Sequence, residues 1–308
     1  MSAVWIPKRL VDLSLINTRA LQKQSFIRRC EYEYESRVYE AAKQIVSRDK
    51  RIIMLTGPSA SGKTTTAYKL KDKIINMGKN ARVVSLDNFF KNLDEYPRLP
   101  DGSKDYENVT ALELVLFEKC IMELMSNGKA SFPQFDFASE TRIENAVDIQ
   151  IDDGYIIVEG IHALNPLLLD LLPKDKTFAV YAGLREEYSF RGQRVLSTRD
   201  IRLLRRMIRD HKYRGHSPAR TVQMWADVCR GEDRYIKVYK PNADFILDTS
   251  FSYEILIMHS ALSEFAIKAL GDDERGQTLS RLYKVFDNIG FMPVGSLPKN
   301  SMLCEFFN

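Results

Sequence analysis

Gly57-Pro58-Ser59-Ala60-Ser61-Gly62-Lys63-Thr64 is the stretch on which the fold of this 308-residue chain turns. It matches G-x-x-x-x-G-K-[ST]. Its glycines let backbone N–H groups close around phosphate oxygens. Lys63 is spaced to reach β- and γ-phosphates, and the Thr64 hydroxyl to ligate Mg²⁺. The apolar run Arg51-Ile52-Ile53-Met54-Leu55-Thr56 before it suits a buried parallel strand. After it, Leu70, Ile74 and Ile75 fall at helical spacing up to Gly78. The predicted helix N-terminus adds partial positive charge beside the loop. Strand, glycine loop and helix stand in the order a phosphate cradle needs.

Working outward, further apolar segments read as strands: 81–86 ending at Asp87, 155–158 ending at Glu159, 178–181, and 245–247. Helical patterns separate most of them, including 111–125 closed by Asn127-Gly128, and 132–137 reads as a short extended piece. Strands alternating with helices predict an α/β, P-loop NTPase fold: a doubly wound, mostly parallel sheet with helices on both faces. Ligands in such sheets sit beyond the carboxyl ends of the strands, where Gly57, Asp87 and Glu159 fall. The expected divisions are 1–49, an arm without clear period to about 28 and then a helix; 50–250, the phosphate-loop core with a helical lid at about 185–220; and 251–308, C-terminal helices with an irregular end.

The bulk numbers exclude little. Hydrophobic residues make up 44% and charged residues 28%, and the net charge of +4 does not point to nucleic acid. Cys30, Cys120, Cys229 and Cys304 are far apart, which argues against a metal cluster or disulfide framework and fits a reducing compartment. His162, His211, His216 and His259 show no metal spacing. The most apolar run, 161–172, is interrupted by His162, Asn165, Pro166 and Asp170, so no membrane span is expected and a cytoplasmic protein is.

The carboxylates carry two readings each. Asp87 beside the phosphate loop fits a base that takes an acceptor hydroxyl's proton, or a water-mediated Mg²⁺ contact; a turn cap is the other reading. Glu159, after a wholly apolar strand, needs a cation, met by magnesium or by an arginine. Asp105 and Glu107 fit sugar hydroxyls or a solvated loop. His162 fits a packed neighbour of the site or a participant.

Residues 191–220 hold nine arginines. Arg202, Arg205, Arg206 and Arg209 share one helix face, and Ile201, Leu204 and Ile208 another. Like charges four apart cost about 0.2–0.5 kcal/mol per pair, and Asp210 is expected to offset little of it. Such a face reads as a mobile flap that meets a triphosphate and stabilises charge during transfer. A solvated face and a nucleic-acid stripe are the rivals, the second weakened by few interleaved aromatics.

Together these residues resemble the uridine kinase and phosphoribulokinase family of P-loop kinases. The loop, Ser85-Leu86-Asp87-Asn88-Phe89-Phe90, Phe135-Asp136-Phe137, Glu159-Gly160-Ile161-His162-Ala163-Leu164-Asn165-Pro166 and the segment from Asp200 to Asp210 follow that family's order. Tyr213-Arg214-Gly215-His216-Ser217, Met224-Trp225, Arg230-Gly231-Glu232, Ala243-Asp244 and the ending Leu297 to Phe306 resemble bacterial uridine-kinase-like nucleoside kinases. Those often carry an N-terminal threonyl-tRNA-synthetase-like module, which is expected to be absent here, about 50 residues preceding the first strand.

The resemblance implies an ATP- and Mg²⁺-dependent kinase acting on the 5′-hydroxyl of a nucleoside such as uridine or cytidine. Gly57, Ser59, Ala60, Ser61, Gly62, Lys63, Thr64 and Thr65 would hold the nucleotide, with Arg205 and Arg214. Asp87 would be the base, with Lys63, Arg206 and Arg209 stabilising the transferred charge. Thr64, Asp87 and Glu159 match magnesium positions. Tyr106, Glu107, Phe135, Glu140, Arg206 and His216 fall on the acceptor side with Asp87. The family also suggests a homo-oligomer. Phe135 replaces a tyrosine and Glu140 a base-reading histidine of well-known uridine kinases, so the phosphate machinery is better supported than the base preference. The alternatives are the same chemistry on a sugar phosphate, polyol or pantothenate, and a non-catalytic ATP-sensing or RNA-binding module. No Asn-Lys-x-Asp guanine reader appears, which disfavours a GTPase.

Overall fold

The computed structural model describes residues 6–98, 102–105, 108–263 and 273–307. In chain order its elements are β1 (Arg9–Asp12), α1 (Leu13–Ala20), α2 (Lys23–Ser47), β2 (Ile52–Thr56), α3 (Lys63–Asn76), β3 (Ala81–Ser85), α4 (Leu114–Asn127), β4 (Lys129–Asp136), β5 (Thr141–Gln150) and β6 (Tyr155–Glu159). There follow α5 (Pro166–Leu169), β7 (Thr177–Gly183), β8 (Glu186–Phe190), β9 (Gln193–Leu196), α6 (Thr198–Arg214), α7 (Pro218–Tyr235), β10 (Phe245–Asp248), α8 (Glu254–Ser263), α9 (Glu274–Phe286) and α10 (Cys304–Phe307).

β2, β3, β6, β7 and β10 form one parallel sheet in the order β10-β7-β2-β6-β3. Its strands alternate sides with period two, and β2 shows what that does. Ile53 and Leu55 face a core shared with α2, α3, α6 and α8, while Ile52 and Met54 face a second core built with α4 and α5. Both faces are buried, as an all-parallel sheet requires. The doubly wound architecture expected from the sequence is therefore present. Leu55 and Ser85 flank Glu159 in register, which brings three strand ends to one edge.

Outside this sheet lie two smaller ones. β4 and β5 pair antiparallel, with a register shift at Pro133, which has no N–H to give the ladder. β5 has mostly exposed residues, so no alternation marks it in the sequence. β1 adds parallel to β8, which pairs with β9. The region expected as an arm to about 28 is thus a strand and a helix, and α2 begins at Lys23. Phe26, Ile27, Cys30, Tyr34, Val38 and Ala41 run down one buried face of α2 in the larger core. Among the described residues, no helix is long and apolar enough to cross a membrane.

Candidate active site

The phosphate loop leaves β2 and enters α3 with backbone geometry that the sequence dictates. Gly62, at φ +83°, caps α3 in the left-handed region, and a side chain there would run into Met302. A side chain at Gly57 would strike the Ala182 carbonyl and the Ser61 hydroxyl, so the loop lies close against β7. Ala60 is also left-handed, at φ +56°. The Ser61 hydroxyl is buried without a hydrogen-bond partner among the described residues. The first-turn N–H groups of a helix lack intrahelical acceptors, so loop and helix together present donors suited to phosphate oxygens.

At the edge of the sheet, Glu159 accepts hydrogen bonds from the Thr64 hydroxyl at 3.3 Å and the Ser85 hydroxyl at 3.2 Å. Ser85 in turn accepts from the Asp87 N–H at 3.3 Å, which turns the chain after β3 and fixes where Asp87 begins. Burial raises the pKa of Asp87, opposed by the Lys63 ammonium. Burial also raises that of Glu159, with Lys63 pulling down and Asp87 pushing up. Two carboxylates and a cation thus share one low-dielectric edge. Together with the Thr64 hydroxyl they are hard oxygen donors of the kind Mg²⁺ takes while keeping waters and phosphate oxygens as its other ligands. Among the described residues, no group of three or more His, Cys, Asp or Glu forms a self-contained metal cage.

A cleft of about 840 Å³ opens over this edge. It brings together Ser59, Lys63, Asp87, Arg206 and Arg214 of the sequence-predicted residues. Thr64 and Glu159, hydrogen-bonded to each other, adjoin Lys63 and Ser85 but are not among its lining residues. Phe135 is instead buried in an aromatic cluster, with ring centroids 5.7 Å from Phe90 and 5.1 Å from Phe137. Glu140 is exposed at the hairpin turn, with φ +54°. His216 follows the end of α6, where its N–H donates to the Asp210 carbonyl at 3.1 Å. None of these three, nor Arg209, is among the residues lining the cleft. Tyr106 and Glu107 lie outside the described residues.

The arginine helix departs most from expectation. α6 begins with a capping box between Ser197 and Asp200 and ends at left-handed Gly215. Over residues 201–210 it is buried nearly all round rather than standing as a flap, with only its last turn exposed, and these arginines meet internal carboxylates. Arg205, fully buried, pairs with Glu254 at 2.7 and 3.0 Å and donates to the Ala60 and Thr249 carbonyls. It therefore braces the loop from beneath, and its expected place on the nucleotide is corrected. Arg202 pairs with Glu232 at 2.5 and 2.8 Å and donates to the Ser59 carbonyl. Arg206 alone of the three turns its tip to the loop's polar side, donating to the Ser59 hydroxyl at 2.8 Å. The expectation that Asp210 offsets little charge is also corrected. Its buried carboxylate meets Arg206 at 3.2 Å, Arg209 at 2.9 Å and Arg214 at 3.4 Å, because positions 206, 210 and 214 stack one turn apart.

Three features were not read from the sequence. Glu232 accepts from the Ser59 N–H at 2.9 Å, holding the loop from α7. Tyr235 donates to Asp105 at 2.9 Å, and both residues line the cleft. The C-terminal segment also reaches the loop: Met302 abuts Gly62, Glu305 accepts from the Thr65 hydroxyl at 2.6 Å, and the Phe306 ring lies 5.0 Å from the Arg205 guanidinium. Only contact across more than a hundred residues of chain reveals these pairings, and no local pattern marks them.

Comparison with known proteins fits this geometry. Residues 52–172 match the model of the phosphoribulokinase / uridine kinase family. A uridine kinase of Staphylococcus aureus is 30% identical over 209 residues, covering 67% of this chain and 91% of that protein. A uridine kinase of Halobacterium salinarum is 25% identical over 226 residues, covering 73% of this chain and 87% of the relative. A solved structure of a possible uridine kinase from Bacillus stearothermophilus superposes with a TM-score of 0.48 at 16% identity, covering 70% of this chain and 100% of that one. With the phosphate loop, the strand-end carboxylates and the inward arginine in place, the chain belongs to the phosphoribulokinase / uridine kinase family.

Proposed function

We propose that this protein is a nucleoside kinase that transfers the γ-phosphoryl of ATP to the 5′-hydroxyl of a nucleoside such as uridine or cytidine. One observation carries the reading: Lys63 and Arg206, suited to phosphate, share a cleft with the half-buried carboxylate of Asp87. Phosphoryl transfer asks the protein for little more than positioning, charge stabilisation and a group to receive the alcohol's proton.

Placement supports the following roles. The loop amides and the Lys63 ammonium hold the transferred phosphate. The Arg206 guanidinium, beside Ser59, offsets charge as it spreads onto the equatorial oxygens. The Asp87 carboxylate accepts the hydroxyl proton. Thr64, Glu159 and Asp87 would hold Mg²⁺, which supplies charge neutralisation on phosphate oxygens. Asp105, tied to Tyr235, stands on the acceptor side, where a carboxylate suits sugar hydroxyls. The uridine kinase names of the relatives support the acceptor class, while the aromatic cluster around Phe135 does not line the cleft.

A panel of acceptors with coupled ADP detection tests the reading. Uridine or cytidine should stimulate ADP release well above the acceptor-free rate. Stimulation by a sugar phosphate, a polyol or pantothenate instead would move the acceptor to another small alcohol. ATP binding with no stimulation by any acceptor would refute the kinase reading.

A further inference from the structure

A second cavity, of about 460 Å³, lies on the other side of the phosphate loop, against Pro58 and the end of β7. Among the described residues it shares no lining residue with the active-site cleft. Among the described residues that line it, Arg185, Arg194, Arg199 and Arg202 stand with Lys8, Lys237 and Lys240, against the single carboxylate of Glu187. That carboxylate is already shared by Lys8 at 2.6 Å and Arg194 at 3.1 Å. Arg199 and Lys237 pair with Asp233, and Arg202 with Glu232, both on α7 and outside the lining. Lys240 reaches over the Tyr181 ring at 5.3 Å. Burial, and then Arg185, Lys8 and Lys237, push its pKa down to about 8. Concentrating cations around one concave volume costs self-repulsion, and clefts lined by one sign of charge gather ligands of the other.

We propose that this cavity is a second anion site that takes a small molecule bearing two or more linked phosphates, distinct from the nucleotide held by the phosphate loop. Its volume falls within the range of small-ligand pockets. Its arginines offer the planar donors that match phosphate oxygens, and its lysines add point charges. One wall is Arg202, which donates to the Ser59 carbonyl, so the site adjoins the loop without entering it. The inference does not depend on which alcohol is phosphorylated.

Inorganic tripolyphosphate is the probe, titrated calorimetrically into the full chain. Wild-type protein should bind two equivalents. Lys63→Ala should lose the loop equivalent and keep the other. Adding Lys240→Glu or Arg194→Glu to Lys63→Ala should weaken the remaining equivalent by about tenfold or more, since each reverses a charge at the cavity. Circular dichroism and melting temperature identify variants that fail to fold, and the two single reversals act as independent checks on each other. A single equivalent in the wild type, abolished by Lys63→Ala, would overturn the proposal. So would a second equivalent indifferent to both charge reversals, because it would then lie elsewhere.

Discussion

The Glu305 carboxylate caps the helix that follows the phosphate loop, accepting from the Thr65 hydroxyl at 2.6 Å and from the Thr65 N–H at 3.4 Å. It takes up a donor that α3 cannot satisfy internally, and it places negative charge at the positive end of the helix dipole. A carboxylate there is a stand-in for any other anion. Glu305→Gln should lower the stability of the nucleotide-free protein by about 0.5–2 kcal/mol, as loss of a cap does, and should tighten ATP binding. Denaturant titration and a nucleotide-binding isotherm read the two effects. Weaker ATP binding in the variant would mean that the carboxylate supports the nucleotide rather than competing with it.

Asp87→Asn keeps the shape of the side chain and removes its capacity to take a proton. ATP affinity should stay within a few-fold, while kcat falls by about 10²–10⁴, the usual worth of a positioned acid–base group. Lys63→Ala should instead lose nucleotide binding and turnover together. An Asp87 variant that turns over near the wild-type rate would remove Asp87 from the mechanism.

The Arg205–Glu254 pair is wholly buried, so either partner alone is an uncompensated charge. Arg205→Ala should cost about 3–5 kcal/mol of unfolding free energy. The double variant Arg205→Met/Glu254→Leu should recover most of that, because no charge is left stranded. Urea unfolding of the single and double variants compares them. An Arg205→Ala variant as stable as wild type would show that the pair is solvated.

His162 is buried, with neither ring nitrogen hydrogen-bonded among the described residues. Burial lowers its pKa from 6.5 to about 4, opposed by Asp105. The unfolded chain therefore binds the proton first. Stability is held above pH 6.5 and is lost as pH falls toward 4. Between pH 7 and pH 5 the wild type should lose roughly 1–2 kcal/mol more than His162→Gln. Equal losses in urea midpoints at the two pH values would place the histidine's proton equilibrium in ordinary surroundings.

The sheet was legible because buried parallel strands are short apolar runs, and three of its five strands ended at a residue with chemistry: Gly57, Asp87, Glu159. The phosphate loop was legible because its spacing is set by local backbone geometry. Of the arginines of α6, Arg206 and Arg214 reach the cleft as expected, whereas Arg205 was misplaced. Sequence shows that they share a face, whereas what they meet depends on Glu232, Glu254 and the loop carbonyls, which arrive from distant segments. β5 was hidden because its exposed surface carries no alternation. The start of α2 was hidden because Lys23, Gln24, Ser25 and Arg28 surround only two apolar positions, Phe26 and Ile27, too short a stretch to show a period.

Asp210 closes a circuit among Arg206, Arg209 and Arg214. At rest these cations are already spoken for, so a weak anion gains little by approaching them. A polyanion whose charge grows during reaction gains more, since it outbids one carboxylate only when its own field is strong. Arg206 and Asp210 are buried whereas Arg214 is half exposed, so salt screens the outer part of this rivalry more than the inner. It would let the helix favour the reacting state over the merely bound one, with a preference carried mostly by the inner Arg206–Asp210 pair.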